Sequence, residues 1–252
     1  MNKREKVLNI VATLLPFVCI VIMWAIFSRA INNQVVLPSF SNTIKEFFKL
    51  FTYAEFYKSF AFTFLRSLIA FSISFLLSLL VAILSKKYKF FKRAISPLLV
   101  VITTLPTIAV VLLLLVWTNS QVAPVIVTIL VVFPTLTVNV SSALSVVDPK
   151  TIEMARFYKI SEKEIYKKII FPQIKPELIS AAGSSLALNL KLMVAAEVLS
   201  YTINSIGNYL SLSKLYDQTA KMMALVLVVV LTGLVINFIT AKISKRWLKW
   251  KE

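Results

Sequence analysis

Two sets of residues have types and spacings that could carry function. The first lies in an apolar run. Lys191 and Glu197 fall within residues 178–199, where an ionisable side chain is costly and marks a polar path or a partner. Six positions apart on a helix, they point to different faces and do not pair with each other. Lys191 could attract an anion, or snorkel toward the outer headgroups. Glu197 could bond across spans or to the following loop, as part of a gate or of the scaffold. Asn189, Ser184 and Thr107 could offer polar groups to a pathway or to helix–helix contacts. The second set, Glu153, Ala155, Arg156, Lys159, Ile165, Ile169 and Pro172, occupies a polar stretch between two apolar runs. Neither set is a catalytic constellation. The chain has no histidine and one cysteine, Cys19, and it lacks a G-x-x-x-x-G-K-S/T phosphate loop. No catalytic residue, metal site or cofactor is therefore expected, and any ATP would be bound by another chain.

The elements that hold these residues are membrane helices. Of 252 residues, 58% are hydrophobic and only 15% charged, against about 25% charged in soluble domains. Apolar stretches near the ~20 residues a spanning helix needs occur at 10–27, 67–84, 95–117, 122–140, 178–199 and 222–241. We expect one all-α polytopic membrane domain over 1–252, its third and fourth spans forming a hairpin about residues 118–121. The net charge of +17 would suggest nucleic acid in a soluble protein. Here the basic residues lie between the spans and report topology instead. With the N-terminus in the cytoplasm, twenty Lys/Arg fall inside and five outside. That bias supports six spans with both termini cytoplasmic. Residues 7–27 read as an uncleaved first span rather than a signal peptide, since no small-x-small site follows. Pro106, Pro124 and Pro134 are expected to kink or tighten spans. Trp247 and Trp250, among Lys245, Arg246 and Lys249, read as an interfacial anchor.

Two further segments are helical but do not span. In 38–50, Phe40, Ile44, Phe47, Phe48 and Phe51 recur at helical spacing, as on a surface-lying helix. In 148–172, Asp148 can cap a helix whose first residue is Pro149. Ser161 and Glu164 form a capping box for a second helix, with Ile165 and Ile169 on one face. Pro172 and Pro176 are expected to break the chain before the fifth span. Two short helices joined near residues 159–160 form a docking element rather than a plain connection.

That stretch resembles the coupling motif of bacterial ABC importer permeases: E-A-A, three residues, glycine, nine residues, then I-x-L-P. Glu153, Met154 and Ala155 stand at E-A-A, Lys159 at the glycine, and Ile169 and Pro172 at the end, with Phe171 for the leucine. Other segments are similar to the nitrate, sulfonate and taurine branch of these binding-protein-dependent inner membrane components. They are Leu37-Pro38-Ser39, Leu105-Pro106-Thr107 through Trp117, and Ala195-Ala196-Glu197 followed by Ile206 through Leu210. The resemblance implies a type I importer fold in the bacterial cytoplasmic membrane, with a coupling loop at 148–172. It implies two ATP-binding ABC subunits, a second permease copy or homologue, and an extracytoplasmic binding protein. The solute would be a nitrate-, sulfonate- or taurine-like anion, or a vitamin precursor. Where the family has glycine, Lys159 would cost up to about 1 kcal/mol if the backbone is left-handed. An ATP-independent secondary carrier acting as an oligomer is the alternative, discriminated by whether an ATPase partner exists. The sequence shows no polar cluster of the kind an intramembrane enzyme needs, and no long cytoplasmic helix extensions of the kind an exporter has.

Overall fold

The computed structural model describes residues 3–248; the side chains of residues 3, 4, 6, 7, 9–11, 13, 14, 17, 247 and 248 lie outside that description. The expected anchor of Trp247 and Trp250 therefore falls outside the described residues. Every regular element described is helical: α1 (Lys3–Ile31), α2 (Phe40–Leu50), α3 (Ala54–Lys87), α4 (Lys89–Thr104), α5 (Thr107–Trp117), α6 (Ala123–Leu144), α7 (Pro149–Phe157), α8 (Glu162–Glu164), a π-helical turn (Ile165–Ile170), α9 (Phe171–Ser200), α10 (Ile206–Leu215) and α11 (Thr219–Leu248). The chain forms two compact units, one of residues up to 57 with 209–228, the other of 58–208 with the residues from 229 on.

In the first unit, α2 is the amphipathic helix expected in 38–50. Ser39 caps it, its Oγ accepting from Asn42 N at 3.2 Å. Trp24 of α1 holds the entry: its Nε1 donates to Pro38 O at 2.9 Å and its ring meets Phe40 edge-on at 5.5 Å.

The second unit is built on α6 and α9. Val132, Leu136, Val140 and Leu144 of α6 are buried with Ala82 of α3, Val147 and Ile174, and Phe71, Phe75 and Leu79 pack around them. A smaller cluster joins Val111 and Leu114 of α5 to Ala123 and Val127 of α6 and Ala196 of α9. It makes the expected hairpin, closed where Asn119 Oδ1 accepts from Gln121 N and Val122 N. Gly183 lies so close to Thr240 of α11 that any Cβ would overlap it.

Among the described residues, four helices are long and apolar enough to cross a membrane: Ala54–Lys87, Ala123–Leu144, Glu162–Ser200 and Thr219–Arg246. A fifth follows if the bent pair α4–α5 counts as one span, and Val18–Ile31 of α1 is apolar but shorter. The fold is an all-α polytopic membrane architecture.

Three expectations need correction. Residues 95–117 are not one continuous helix but bend by 92° between α4 and α5. Pro106 has no N–H, and it pushes Leu105 to an extended conformation with ψ of 129°. Pro124 does not kink α6 but sits in its first turn, where a missing N–H costs nothing. Pro172 and Pro176 do not break the chain before α9, which runs on from the π-helical turn through both. The wide turn shifts the hydrogen-bond ladder where Pro172 would otherwise collide with the preceding turn.

Candidate coupling loop and buried ionic junction

The loop 148–172 is closed by backbone chemistry. Asp148 caps α7, its Oδ1 accepting from Lys150 N at 2.9 Å. At the other end Lys159 N donates to Arg156 O at 2.9 Å, and Ile160 N to Ala155 O at 3.1 Å. These are the paired bonds of a Schellman turn, and Lys159 holds its left-handed position at φ 56°. The lysine thus adopts the conformation for which the family uses glycine. Ser161 Oγ then accepts from Glu164 N at 3.3 Å and starts α8.

One ion pair spans the turn. Arg156 donates to Glu162 through Nε at 2.8 Å and Nη2 at 3.3 Å, a two-pronged contact that fixes planar geometry. The carboxylate raises the guanidinium pKa above its ordinary value. Ala155 and Ile165 are buried inside the hairpin and Ile169 is half-buried, so these three pack within the chain. Pro172 and Glu153 are exposed. Ile152 and Ile170 root the pair on the core cluster of α3, α6 and α9. The outer surface instead shows Phe157, 83% exposed, and Tyr158, 72% exposed, beside Met154.

The residues expected for a pathway separate. Glu197 is fully buried in the last turns of α9. Its Oε2 accepts from Thr63 Oγ1 at 2.8 Å and Gly207 N at 3.4 Å, and its Oε1 from Arg66 Nη1 at 3.0 Å. Arg66 also donates from Nη2 to Gln121 Oε1 at 2.5 Å and to Ile203 O at 3.3 Å. Thr63 Oγ1 in turn accepts from Ile206 N at 2.9 Å. One junction therefore joins α3, the α5–α6 turn, the end of α9 and the start of α10. Asn189 is also buried, its Nδ2 donating to Ser67 O at 2.8 Å and Ser67 Oγ at 2.7 Å. Ser184 is exposed and bonds back to Ser180 O at 3.2 Å. Thr107 is half-buried at the start of α5, and Lys191 is exposed on α9.

Sequence reasoning placed Glu197 but missed its partners Arg66, Thr63 and Gln121. Part of the signal for Arg66 was present: an arginine at the edge of an apolar run needs a counter-charge, though its spacing did not say which acid supplies it.

The described residues form a polytopic helical membrane fold with a short helical hairpin between α6 and α9. The chain belongs to the family of binding-protein-dependent transport system inner membrane components, whose profile matches residues 74–249. It is the permease subunit of an ABC-type importer and not an enzyme. A putative aliphatic sulfonates transport permease protein, SsuC of Bacillus subtilis (strain 168), is 23% identical over 240 residues, covering 95% of this chain and 87% of that protein. Among solved structures, an amino acid ABC transporter aligns with TM-score 0.65 and 18% identity over 76% of this chain and 94% of that one. The inward-facing MetNI methionine ABC transporter aligns with TM-score 0.60 and 17% identity, over 76% and 93%.

Proposed function

We propose that this permease has six spans and couples to its ATPase through the loop 148–172. The reading takes α1 and the bent pair α4–α5 as spans beside the four longer helices, in one domain with both termini in the cytoplasm. Two ATP-binding subunits dock on the α7–α8 hairpins of two permease chains, and an extracytoplasmic protein delivers the solute. ATP-driven closure pulls on the hairpin, and the hairpin moves the core as a rigid body. Glu153, Arg156 and Pro172 stay on the docking side. Ala155, Ile165 and Ile169 hold the hairpin together, and Lys159 turns it. Glu197 belongs to a fixed junction at the outer end of α9. Lys191, Asn189, Ser184 and Thr107 are left as secondary contributors to a pathway.

The observation that carries this reading is the build of the hairpin. A Schellman turn and a two-pronged ion pair fix its shape, Ile152 and Ile170 anchor it, and Phe157 and Tyr158 project from it. Exposed aromatic residues on a rigid base are what a partner groove takes as anchors.

The solute in this reading is a small organic anion of sulfonate type, a vitamin precursor being the alternative. The sulfonate relative supports it at low identity but over nearly the full chain. The amino acid and methionine transporters share the fold at 17–18% identity and do not bear on the solute.

The test is purification from native membranes in mild detergent, with intact-mass analysis of the complex. The expected result is one ATPase copy per permease. Phe157→Ser should weaken that association by roughly 30-fold, the scale of an interface hot spot. A reproducible complex with no ATPase and no ATP turnover would overturn the reading and leave the secondary carrier. Any binding protein recovered can then be screened with sulfonates and vitamin precursors.

A further inference from the structure

A groove lined by both hydroxyls and apolar side chains runs between α4 and α6, and nothing above uses it. One part is a cavity of about 500 Å³, bounded by Lys92 and Ser96 of α4, Ser141 and Ser142 of α6 and Ser145 just beyond it, with the apolar Leu99 and Val138 between them. The groove continues past Lys89 and Arg93 in one direction. In the other it becomes mainly apolar, passing Val100 and Val138 with Thr103, Thr135 and Asn139 among them.

Both helices place hydroxyls on an outward face. On α6 the apolar stripe of Val132, Leu136, Val140 and Leu144 is buried. The opposite stripe holds Thr135, Asn139, Ser142 and Ser145 at helical spacing; Asn139 is half-buried and the other three are exposed. Val138 and Val146 are exposed among these residues, and the Asn139 amide is held by Ser185 Oγ at 3.2 Å, so the stripe mixes valines with hydroxyls. A stripe with this share of hydroxyls can be wetted along its polar side while its valines pack against apolar groups. On α4 the cations Lys89, Lys92 and Arg93 and the hydroxyl of Ser96 share one side, while Leu98 and Val101 are exposed on others.

The charge has one sign. The described side chains lining the cavity include Lys92 and no carboxylate, and the adjoining end adds Lys89 and Arg93. A low-dielectric cleft with a cationic end focuses its field on anions. The hydroxyls of Ser96 and Ser145 rest on Lys92 O and Ser141 O, each at 2.8 Å. A χ1 rotation releases either as a donor.

We propose that this groove is a water-filled passage that holds the anionic group of a small solute, with Lys92 supplying charge and Ser96, Ser142 and Ser145 supplying hydrogen bonds. The assignment rests on the permease reading and names the class of solute at its pathway. Depth argues for a solute rather than a lipid headgroup. From Ser145 to Thr135 the hydroxyl stripe extends about 15 Å along α6, which is about half the hydrocarbon thickness of a bilayer.

The test uses charged thiol reagents, and the single native cysteine makes it simple. In a Cys19→Ser background, the full chain with its retained partners is placed in zwitterionic nanodiscs. Ser142→Cys, Ser96→Cys and Leu98→Cys are then treated with 2-sulfonatoethyl or 2-trimethylammonioethyl methanethiosulfonate. At Ser142→Cys and Ser96→Cys the anionic reagent should react at least about tenfold faster than the cationic one, the scale of electrostatic focusing in a cleft. Lys92→Gln should collapse that ratio, and free methanesulfonate should slow the reaction. Leu98→Cys should resist both reagents. Equal rates that ignore Lys92, or groove cysteines no more reactive than Leu98→Cys, would overturn the proposal. So would protection seen only when anionic lipid is added, which would mark a headgroup site. The readout needs no ATP hydrolysis. A reactive, anion-selective groove in a chain that binds no ATPase would remove the importer coupling and leave the groove standing.

Discussion

Arg66 and Glu197 meet at 3.0 Å, 131 residues apart in the chain, with the carboxylate fully buried and the guanidinium nearly so. A buried pair costs desolvation on both sides, and it persists when further hydrogen bonds satisfy the remaining positions. Here Thr63, Gln121, Ile203 and the Gly207 amide do so. Removing Arg66 alone strands a buried carboxylate, so Arg66→Met should destabilise the fold by about 3–5 kcal/mol. Adding Glu197→Gln to that variant should return a large part of the loss, because the amide keeps its Thr63 contact and carries no charge. Thermal unfolding of the two single variants and the double variant in one detergent measures the coupling; additive losses would count against the junction.

Gly207 approaches the same carboxylate from the other side. A Cβ there would overlap the Cβ of Glu197 and come within 2.6 Å of its backbone carbon. Backbone cannot give way cheaply, so Gly207→Ala should cost about 1–3 kcal/mol. Gly233 offers the contrast. Its added Cβ would meet only Ala187 Cβ, at 3.9 Å, and alanine gains up to about 1 kcal/mol over glycine inside a helix. Gly233→Ala should therefore melt at or above the wild-type temperature while Gly207→Ala melts below it.

These two sites show where the sequence was readable and where it was not. Glu197 stood out because a carboxylate in an apolar run demands a partner, and Asp148 and Ser161 stood out because caps are local. Arg66, Thr63 and Gln121 converge on Glu197 only through tertiary packing, so no spacing rule linked them. Pro106 marked a kink in its span, but a break as large as 92° was not legible, because hydropathy averages over it and residues on both sides are apolar. Pro172 and Pro176 misled in the opposite direction, because a π-helical turn absorbs what would stop a regular helix.

Lys159 carries strain that its family's glycine avoids. At φ 56° a side chain costs up to about 1 kcal/mol relative to glycine. Lys159→Gly should stabilise the protein by that order and leave ATP-dependent import intact, since the Schellman bonds are backbone bonds. Lys159→Val, β-branched at a left-handed position, should lower both the melting temperature and import. Unchanged stability in both variants would show that the turn does not hold its left-handed position in the folded protein.

The ion pair of Arg156 and Glu162 leads to the opposite kind of prediction. Both side chains are more than half exposed, at 59% and 58%, so water screens the pair and its loss should hardly move the melting temperature. What it fixes is the angle between α7 and α8, because a two-pronged contact holds both partners in plane. Arg156→Glu places two carboxylates across the turn and should push the helices apart. In proteoliposomes with the ATPase and binding protein, import per ATP hydrolysed should then fall by several-fold. Exchanging the charges, with Arg156→Glu and Glu162→Arg together, restores a pair across the same gap and should recover most of the coupling. Recovery separates a positioning role for the pair from direct recognition of Arg156 by the ATPase, since a partner that reads the guanidinium itself would reject the exchanged variant as firmly as the single one.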